Sequence, residues 1–280
     1  MRTLQWTGCG VLCLVLVSSA AGAGGAAPTC PGDADGDLQV NFDDLNLVLE
    51  HWNTTDPAGD VTGDGVVDFN DLNEVLEWWT DCSFDYGATY ADDEAWQIGL
   101  EMLGGTGPLL LPQATYDRID RDLDLIRVFE GTLASQPHTP AWSPSSLLVG
   151  LVDGADRTRY DAFNAYYGVI NEQELFAFGG ITYYLVTLPG RVNVVCLGGI
   201  YQQLAEVSSA EPDGIIGGQN FYTPSLLLSG NWRWDIDDGF WDCFDGCDCH
   251  YVWAFETDDA GNVTLIDATQ FGQPWCPWPR

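Results

Sequence analysis

The chain contains no lysine, and its nine arginines face 42 aspartates and glutamates, for a formal net charge of −33. A surface of that sign repels nucleic acid and anionic lipid and attracts divalent cations or basic partners. After residue 23 no segment reaches eighteen consecutive apolar residues, so the sequence predicts no membrane span beyond its leader. Histidine is scarce, with His51, His138 and His250 far apart in the chain, and no Gly-x-Ser-x-Gly, His-Glu-x-x-His or phosphate-loop motif occurs. These absences remove the commonest hydrolase and nucleotide-binding readings without closing the question of catalysis.

What the chain has in excess is aspartate at regular spacing. A 27-residue unit occurs twice within residues 30–82, a segment with 14 acidic residues and no arginine. In the first copy Asp33, Asp35, Asp37, Asn41 and Asp44 take positions 1, 3, 5, 9 and 12 of a twelve-residue loop, and in the second Asp60, Thr62, Asp64, Asp68 and Asp71 do so. Gln39 and Val66 stand at position 7, where the backbone carbonyl is the ligand. A hard cation takes six to eight oxygens in this alternation, closed by a carboxylate at the start of a helix. The stretch Leu45 to Trp52 then aligns with Leu72 to Trp79, so the repeat is present in both ligands and apolar stripe. Two Ca²⁺ ions would relieve much of the segment's self-repulsion, which couples metal to folding.

This segment resembles the dockerin family, whose modules carry two calcium loops with aspartate at position 12. It departs from the family at Leu38, where glycine is usual, and at Thr62, which replaces Asp or Asn. The resemblance implies a cohesin or similar extracellular protein as partner. It places the contacts at loop positions 10 and 11, here Phe42-Asp43 and Phe69-Asn70. Dockerins usually ride on polysaccharide-degrading enzymes, which keeps a carbohydrate-active enzyme among the alternatives.

Residues 1–23 read as a secretory signal, with Arg2 before the apolar run Val11 to Val17 and Ala21-Gly22-Ala23 at the cleavage site. Export would remove Cys9 and Cys13 and place the other seven cysteines in an oxidising compartment. Cys30 and Cys82 bracket the repeat, whose antiparallel pairing would bring its ends together in a disulfide. Cys243, Cys247, Cys249 and Cys276 fit two further disulfides of open connectivity; a zinc site with His250 is the alternative. Cys196, in an apolar run, is left over and is expected as a buried free thiol.

The rest divides by pattern. Residues 83–144 read as a helical and linker region: 92–103 is a helix or strand, and 115–130 a helix capped by Thr115 and stopped at Gly131. Pro137, Pro140 and Pro144 mark the linker. Within 145–218 the order is β-α-β-β-α-β, the unit of a ferredoxin-like sandwich. That stretch, through Leu147 to Leu151 and Val207 to Asp213, looks like the propeptide domains of subtilisin-type proteases, which implies a protease as a further partner. Residues 219–280 read as a Cys- and Trp-rich β region, where Asp235, Asp237 and Asp238 offer carboxylates for glycoside chemistry. The expected whole is a multidomain secreted protein. It joins a small all-α calcium-binding repeat to an α+β body, and docking rather than catalysis is its function.

Overall fold

The computed structural model describes residues 30–79, 82–215, 217, 220–243 and 246–276. The expected leader at 1–23, with Cys9 and Cys13, lies outside the described residues. Among the described residues no helix is long and apolar enough to cross a membrane.

The repeat builds two nine-residue helices, α1 (Phe42–Glu50) and α2 (Phe69–Glu77). Each starts at a capping box. The side chain of Asn41 or Asp68 accepts from the backbone ahead, while Asp44 or Asp71 at N3 reaches back to the cap N–H, so two orphan donors are satisfied reciprocally. Val40, Val48, Val67 and Val75 pack with Cys30 into a small core of their own, flanked by Leu45, Leu72, Trp52 and Trp79. The two units are tied by Asn53 N–H to Val67 O and Val67 N–H to Thr54 O, both 2.9 Å. Gly32 has φ +81°, and a Cβ there would meet the Glu74 carbonyl and Val75 Cα at 3.0 Å; only glycine lets the first loop lie this close to α2.

The body contains helices α3 (Asp93–Leu103) and α4 (Gln113–Phe129), followed by β1 (Trp142–Val152), α5 (Thr158–Tyr166), β2 (Asn171–Phe178), β3 (Ile181–Thr187), α6 (Val194–Tyr201) and β4 (Val207–Gly214). Four more strands complete it: β5 (Asn220–Leu226), β6 (Trp232–Phe240), β7 (Cys249–Thr257) and β8 (Val263–Gly272). They form two antiparallel four-stranded sheets, ordered β2-β3-β1-β4 and β5-β6-β7-β8. Helix α6 lies on β4 at Gly198, where a Cβ would meet the Ala210 carbonyl at 2.7 Å.

One buried cluster runs through the body, from Ile98 and Ile126 through Leu147, Val186 and Leu197 to Trp234 and Phe255. The boundaries expected at residues 144 and 218 therefore do not separate hydrophobic cores. Strand β6 shows how the second sheet joins in: Trp232, Trp234 and Ile236 point inward and are buried, while Arg233, Asp235 and Asp237 alternate outward.

Several local expectations are corrected. Residues 92–103 resolve as helix, with Asp92 as its N-cap accepting from Ala95 N–H. Helix α4 begins two residues before Thr115, behind Pro112, which fixes φ at −63° and needs no donor at this position. It ends at Phe129, and Gly131 opens a 3-10 turn over Gly131–Ser135. The proline-rich stretch is no free linker. Thr139 N–H bonds Asn220 O at 2.7 Å, His138 is buried, and β1 already starts at Trp142, opposite Gly214. Pro144 is accommodated because the pairing of β1 with β4 is irregular between Trp142 and Leu147. Cys196 is buried, as expected, but disulfide-bonded and not a free thiol.

Candidate calcium sites

The two loops are built by matching sets of hydrogen bonds. In the first, Asp33 at position 1 accepts from the N–H groups of Gly36 (2.8 Å), Asp37 (3.1 Å) and Leu38 (2.9 Å). In the second, Asp60 accepts from Asp64 (3.1 Å) and Gly65 (2.8 Å). The closing carboxylates come from the helices and reach back over the loops. Asp44 accepts from Ala34 (2.8 Å) and Asn41 (2.7 Å), and Asp71 from Thr62 (3.0 Å) and Asp68 (2.8 Å). Asp37 and Asp64 at position 5 each turn onto position 7, accepting from Gln39 N–H (2.8 Å) and Val66 N–H (3.0 Å). Asn41 and Asp68 at position 9 double as the helix caps, accepting from Asp43 N–H (2.8 Å) and Asn70 N–H (2.7 Å).

The donor set fits a hard cation. Carboxylate oxygens of Asp33, Asp35 and Asp37 lie within 4.8 Å of one another. In the second loop Thr62 Oγ1 sits 3.4 Å from Asp60 and 3.0 Å from Asp71, so positions 1, 3 and 12 converge there too. Asp33, Asp44 and Asp71 are no more than 1 % exposed, and the segment holds no arginine to pair with them. A buried carboxylate is normally paired with a cation or ligates a metal. Ca²⁺, which takes only oxygen and tolerates irregular geometry, suits these groups best.

Protonation follows from the same burial. Loss of water pushes the Asp33 carboxyl up to about 6 from 3.8, against the pull of its Leu38 and Gly36 N–H bonds. Asp35 is raised as well, first by burial and then by the charges of Asp37, Asp44 and Asp43. For an acid raised in the folded state, the penalty on folding is full above pH 6, fades as pH falls through it and vanishes below 3.8. The metal-free module is expected to gain stability between pH 7 and pH 5, and the calcium-loaded module to lose it as protons displace the ion. Thermal melts in chelator and in calcium across that range test the opposite slopes. Parallel slopes would refute it.

The loops differ at position 6. Leu38 has φ 67° and Gly65 φ 92°, both left-handed. That conformation costs a residue with a Cβ roughly 1–2 kcal/mol. Where the metal-free loop relaxes out of it, the second loop is expected to bind Ca²⁺ about five- to thirty-fold more tightly. Separate titration of Asp33→Ala and Asp60→Ala decides the ranking, since Asp60→Ala must then abolish the tighter site.

Phe42 and Phe69, expected at the docking surface, are each 68 % exposed. Each also meets the other unit's terminal tryptophan edge-on at 5.0 Å, Phe42 with Trp79 and Phe69 with Trp52. Asp43 and Asn70 beside them are exposed. The aromatic contacts were not anticipated, although the 27-residue spacing of Phe42 to Phe69 and of Trp52 to Trp79 carried the signal.

Among the described residues, disulfides join Cys30 to Cys82, Cys243 to Cys247 and Cys249 to Cys276. The first is the expected clasp; the others settle the connectivity of the tail and leave no thiolates for a zinc site there. The three aspartates considered for glycoside chemistry do not converge. Asp235 pairs with Arg233 (2.8 Å) and Asp237 with His250 Nδ1 (2.8 Å) on the outer face of the second sheet, whereas Asp238 is buried on the inner face. Among the histidines, His51 pairs with Asp56 (3.3 Å) and His138 with Glu101 (3.2 Å), each in its own part of the fold.

No family model, curated protein or solved structure matches the chain.

Proposed function

We propose that this is a secreted, non-catalytic protein that binds two Ca²⁺ ions in a dockerin-like module at residues 30–82 and docks an extracellular partner through it. The supporting observation is the pair of loops whose carboxylates recur at a 27-residue spacing with similar hydrogen bonds, Asp33, Asp44 and Asp71 being buried in a segment without arginine. The docking surface on this reading is the exposed face carrying Phe42, Asp43, Phe69 and Asn70, which fits a cohesin-like receptor. Calorimetric titration of the chelator-stripped chain tests the metal, with two binding events per chain expected. Binding to a panel of cohesin domains with and without chelator tests the partner. Metal binding without any chelator-sensitive docking would leave a calcium-stabilised module and remove the docking role.

The ferredoxin-like reading of residues 145–218 is supported by the strand order β2-β3-β1-β4 with α5 and α6 as crossovers. Its inhibitor variant has one observation in favour, the exposed apolar residues Phe176 and Phe178 on β2. Against it, the exit segment through Asp213 is part of β4, held to β1 and followed six residues later by β5. A segment committed to its own sheet is poorly placed to enter a protease cleft. A carbohydrate-active enzyme has the least support, since the aspartates of β6 point to opposite faces.

A further inference from the structure

His250 stands on the outer face of the second sheet, opposite Gly239 in the β6–β7 ladder, and both of its ring nitrogens are engaged. Nδ1 lies 2.8 and 3.1 Å from the two carboxylate oxygens of Asp237 on β6. Nε2 lies 2.9 Å from the Cys247 carbonyl, in the loop between β6 and β7. Phe271, beside His250 in the β7–β8 ladder, stacks on the ring with centroids 4.5 Å apart and planes 9° from parallel. The proposed calcium module has no part in this arrangement.

The two acceptors fix the state of the ring. An ionised carboxylate and a peptide carbonyl accept but do not donate, so each nitrogen must carry a hydrogen. Only the imidazolium has both. In a neutral ring one nitrogen would turn a lone pair on an oxygen at hydrogen-bond distance. The carboxylate is the stronger acceptor and keeps Nδ1–H, so the contact that fails is the one to Cys247. That contact belongs to the charged form alone. It is present on the acid side and lost as pH rises.

The loop it holds is short and strained. Trp241 (φ 60°) and Asp242 (φ 33°) both have positive φ, which is unfavourable for residues with a Cβ. The Cys243–Cys247 disulfide closes the loop, and Asp248 N–H bonds Trp241 O at 2.9 Å across its base. Asp248 O in turn accepts from Gln273 N–H (3.2 Å), and Cys249 is bonded to Cys276, so the base is fixed to the segment after β8. Trp241 is exposed and meets the exposed Trp275 edge-on at 5.9 Å. Release of the Cys247 carbonyl lets the strained turn relax and changes how Trp241 is presented to solvent. The charged groups around the ring are Asp237 from β6 and Asp242 and Asp248 from the loop, whose Asp245 lies outside the described residues. Phe271 brings none from β8. Further along the sheet, Arg233 is committed to Asp235, with Asp267 near it.

We propose that His250 is a proton-operated latch on the Cys243–Cys247 loop, closed as the imidazolium and open as the neutral ring. An imidazole changes charge between about pH 5 and 8, so the loop is held at pH 5 and released at pH 9.

Two-bond nitrogen–proton NMR spectra of the calcium-saturated full chain read the ring directly. Both His250 nitrogens should be protonated at pH 5. At pH 9 the remaining hydrogen should sit on Nδ1, the less common tautomer of a free imidazole. Over the same range the exchange protection of Asp248 N–H, corrected for the intrinsic pH dependence of exchange, should fall at least tenfold, while the strands of the first sheet keep theirs. Asp237→Asn separates the latch from general loosening in alkali. Its side-chain amide can donate to Nδ1, which leaves Nε2–H on Cys247 in the neutral ring, so Asp248 should stay protected at pH 9. His250→Ala should show the low protection at both pH values. An Nε2–H tautomer at pH 9 in the unmodified chain, or Asp248 protection that does not change between pH 5 and pH 9, overturns the proposal without recourse to any variant. An equal fall in Asp237→Asn, or full protection in His250→Ala, overturns it as well.

Discussion

Replacing Asp122 by alanine is expected to lower the stability of the body by about 3–5 kcal/mol, the range for removing one partner of a buried ion pair. Asp122, on α4, is fully buried and gathers three groups. Arg118 Nε donates to it at 2.7 Å, Arg121 Nη2 at 2.8 Å, and the Thr257 hydroxyl completes the set. The two guanidiniums reach on to the β7–β8 turn. Arg118 bonds the Thr257 carbonyl (3.0 Å) and the Asp259 carboxylate, and Arg121 bonds the Asp258 carbonyl (3.1 Å). Arg118 also lies 5.5 Å over the Trp232 ring, so α4 is latched to β6, to the end of β7 and to the turn that follows it by one charge network. Without Asp122 the largely buried Arg118 keeps its desolvation cost and loses its main counter-charge. In a domain of this size the loss corresponds to a fall in melting temperature of roughly 10 °C. The double variant Asp122→Ala, Arg118→Met should recover part of it, because no uncompensated charge then remains. Loss below about 1 kcal/mol for Asp122→Ala, measured by denaturant unfolding, would show that water replaces the latch.

Arg118 and Arg121 illustrate what the sequence hides. Among so many aspartates they read as a solvated, salt-bridged helix face, since nothing local says that Thr257 will approach Arg118 from 139 positions away. The two twelve-residue aspartate loops are legible for the opposite reason. Their ligands, caps and closing carboxylates fall within twelve residues, and each bond is fixed by spacing alone. The order of helices and strands over 145–214 was readable from apolar runs and glycine turns. The proline-rich stretch was misread because its order comes from outside: Asn220, Glu101 and Gly214 supply the partners that 138–142 lacks locally. Asp235, Asp237 and Asp238 looked like one carboxylate cluster, and strand alternation divides them between faces. A cavity beside the 3-10 turn could not be read at all, as it needs the end of α4 set against β6 and β7.

Breaking the Cys30–Cys82 bridge is expected to cost the calcium module about 4 kcal/mol and, through that, most of its metal affinity. The bridge closes a loop with a sequence separation of 52, and the chain-entropy model assigns roughly that value to such a closure. The module has little else to draw on. Its core is four buried valines and Cys30, and it holds buried carboxylates that repel one another until a cation arrives. On the proposed reading calcium binds only the folded loops, so the apparent dissociation constant is the intrinsic one divided by the folded fraction. A clasped, metal-free module near the edge of stability would drop by up to a thousandfold in folded fraction on losing 4 kcal/mol. The double variant Cys30→Ser, Cys82→Ser should therefore bind calcium at least tenfold more weakly, while the body melts at its usual temperature. The measurement is a calcium titration in chelator-buffered solution, with far-UV circular dichroism following helix formation. In the variant, helix should appear as calcium is added; in the clasped protein it should already be present. An unchanged calcium affinity in the variant would mean that the metal-free module is stable without its clasp, and the coupling between disulfide and metal would have to be abandoned.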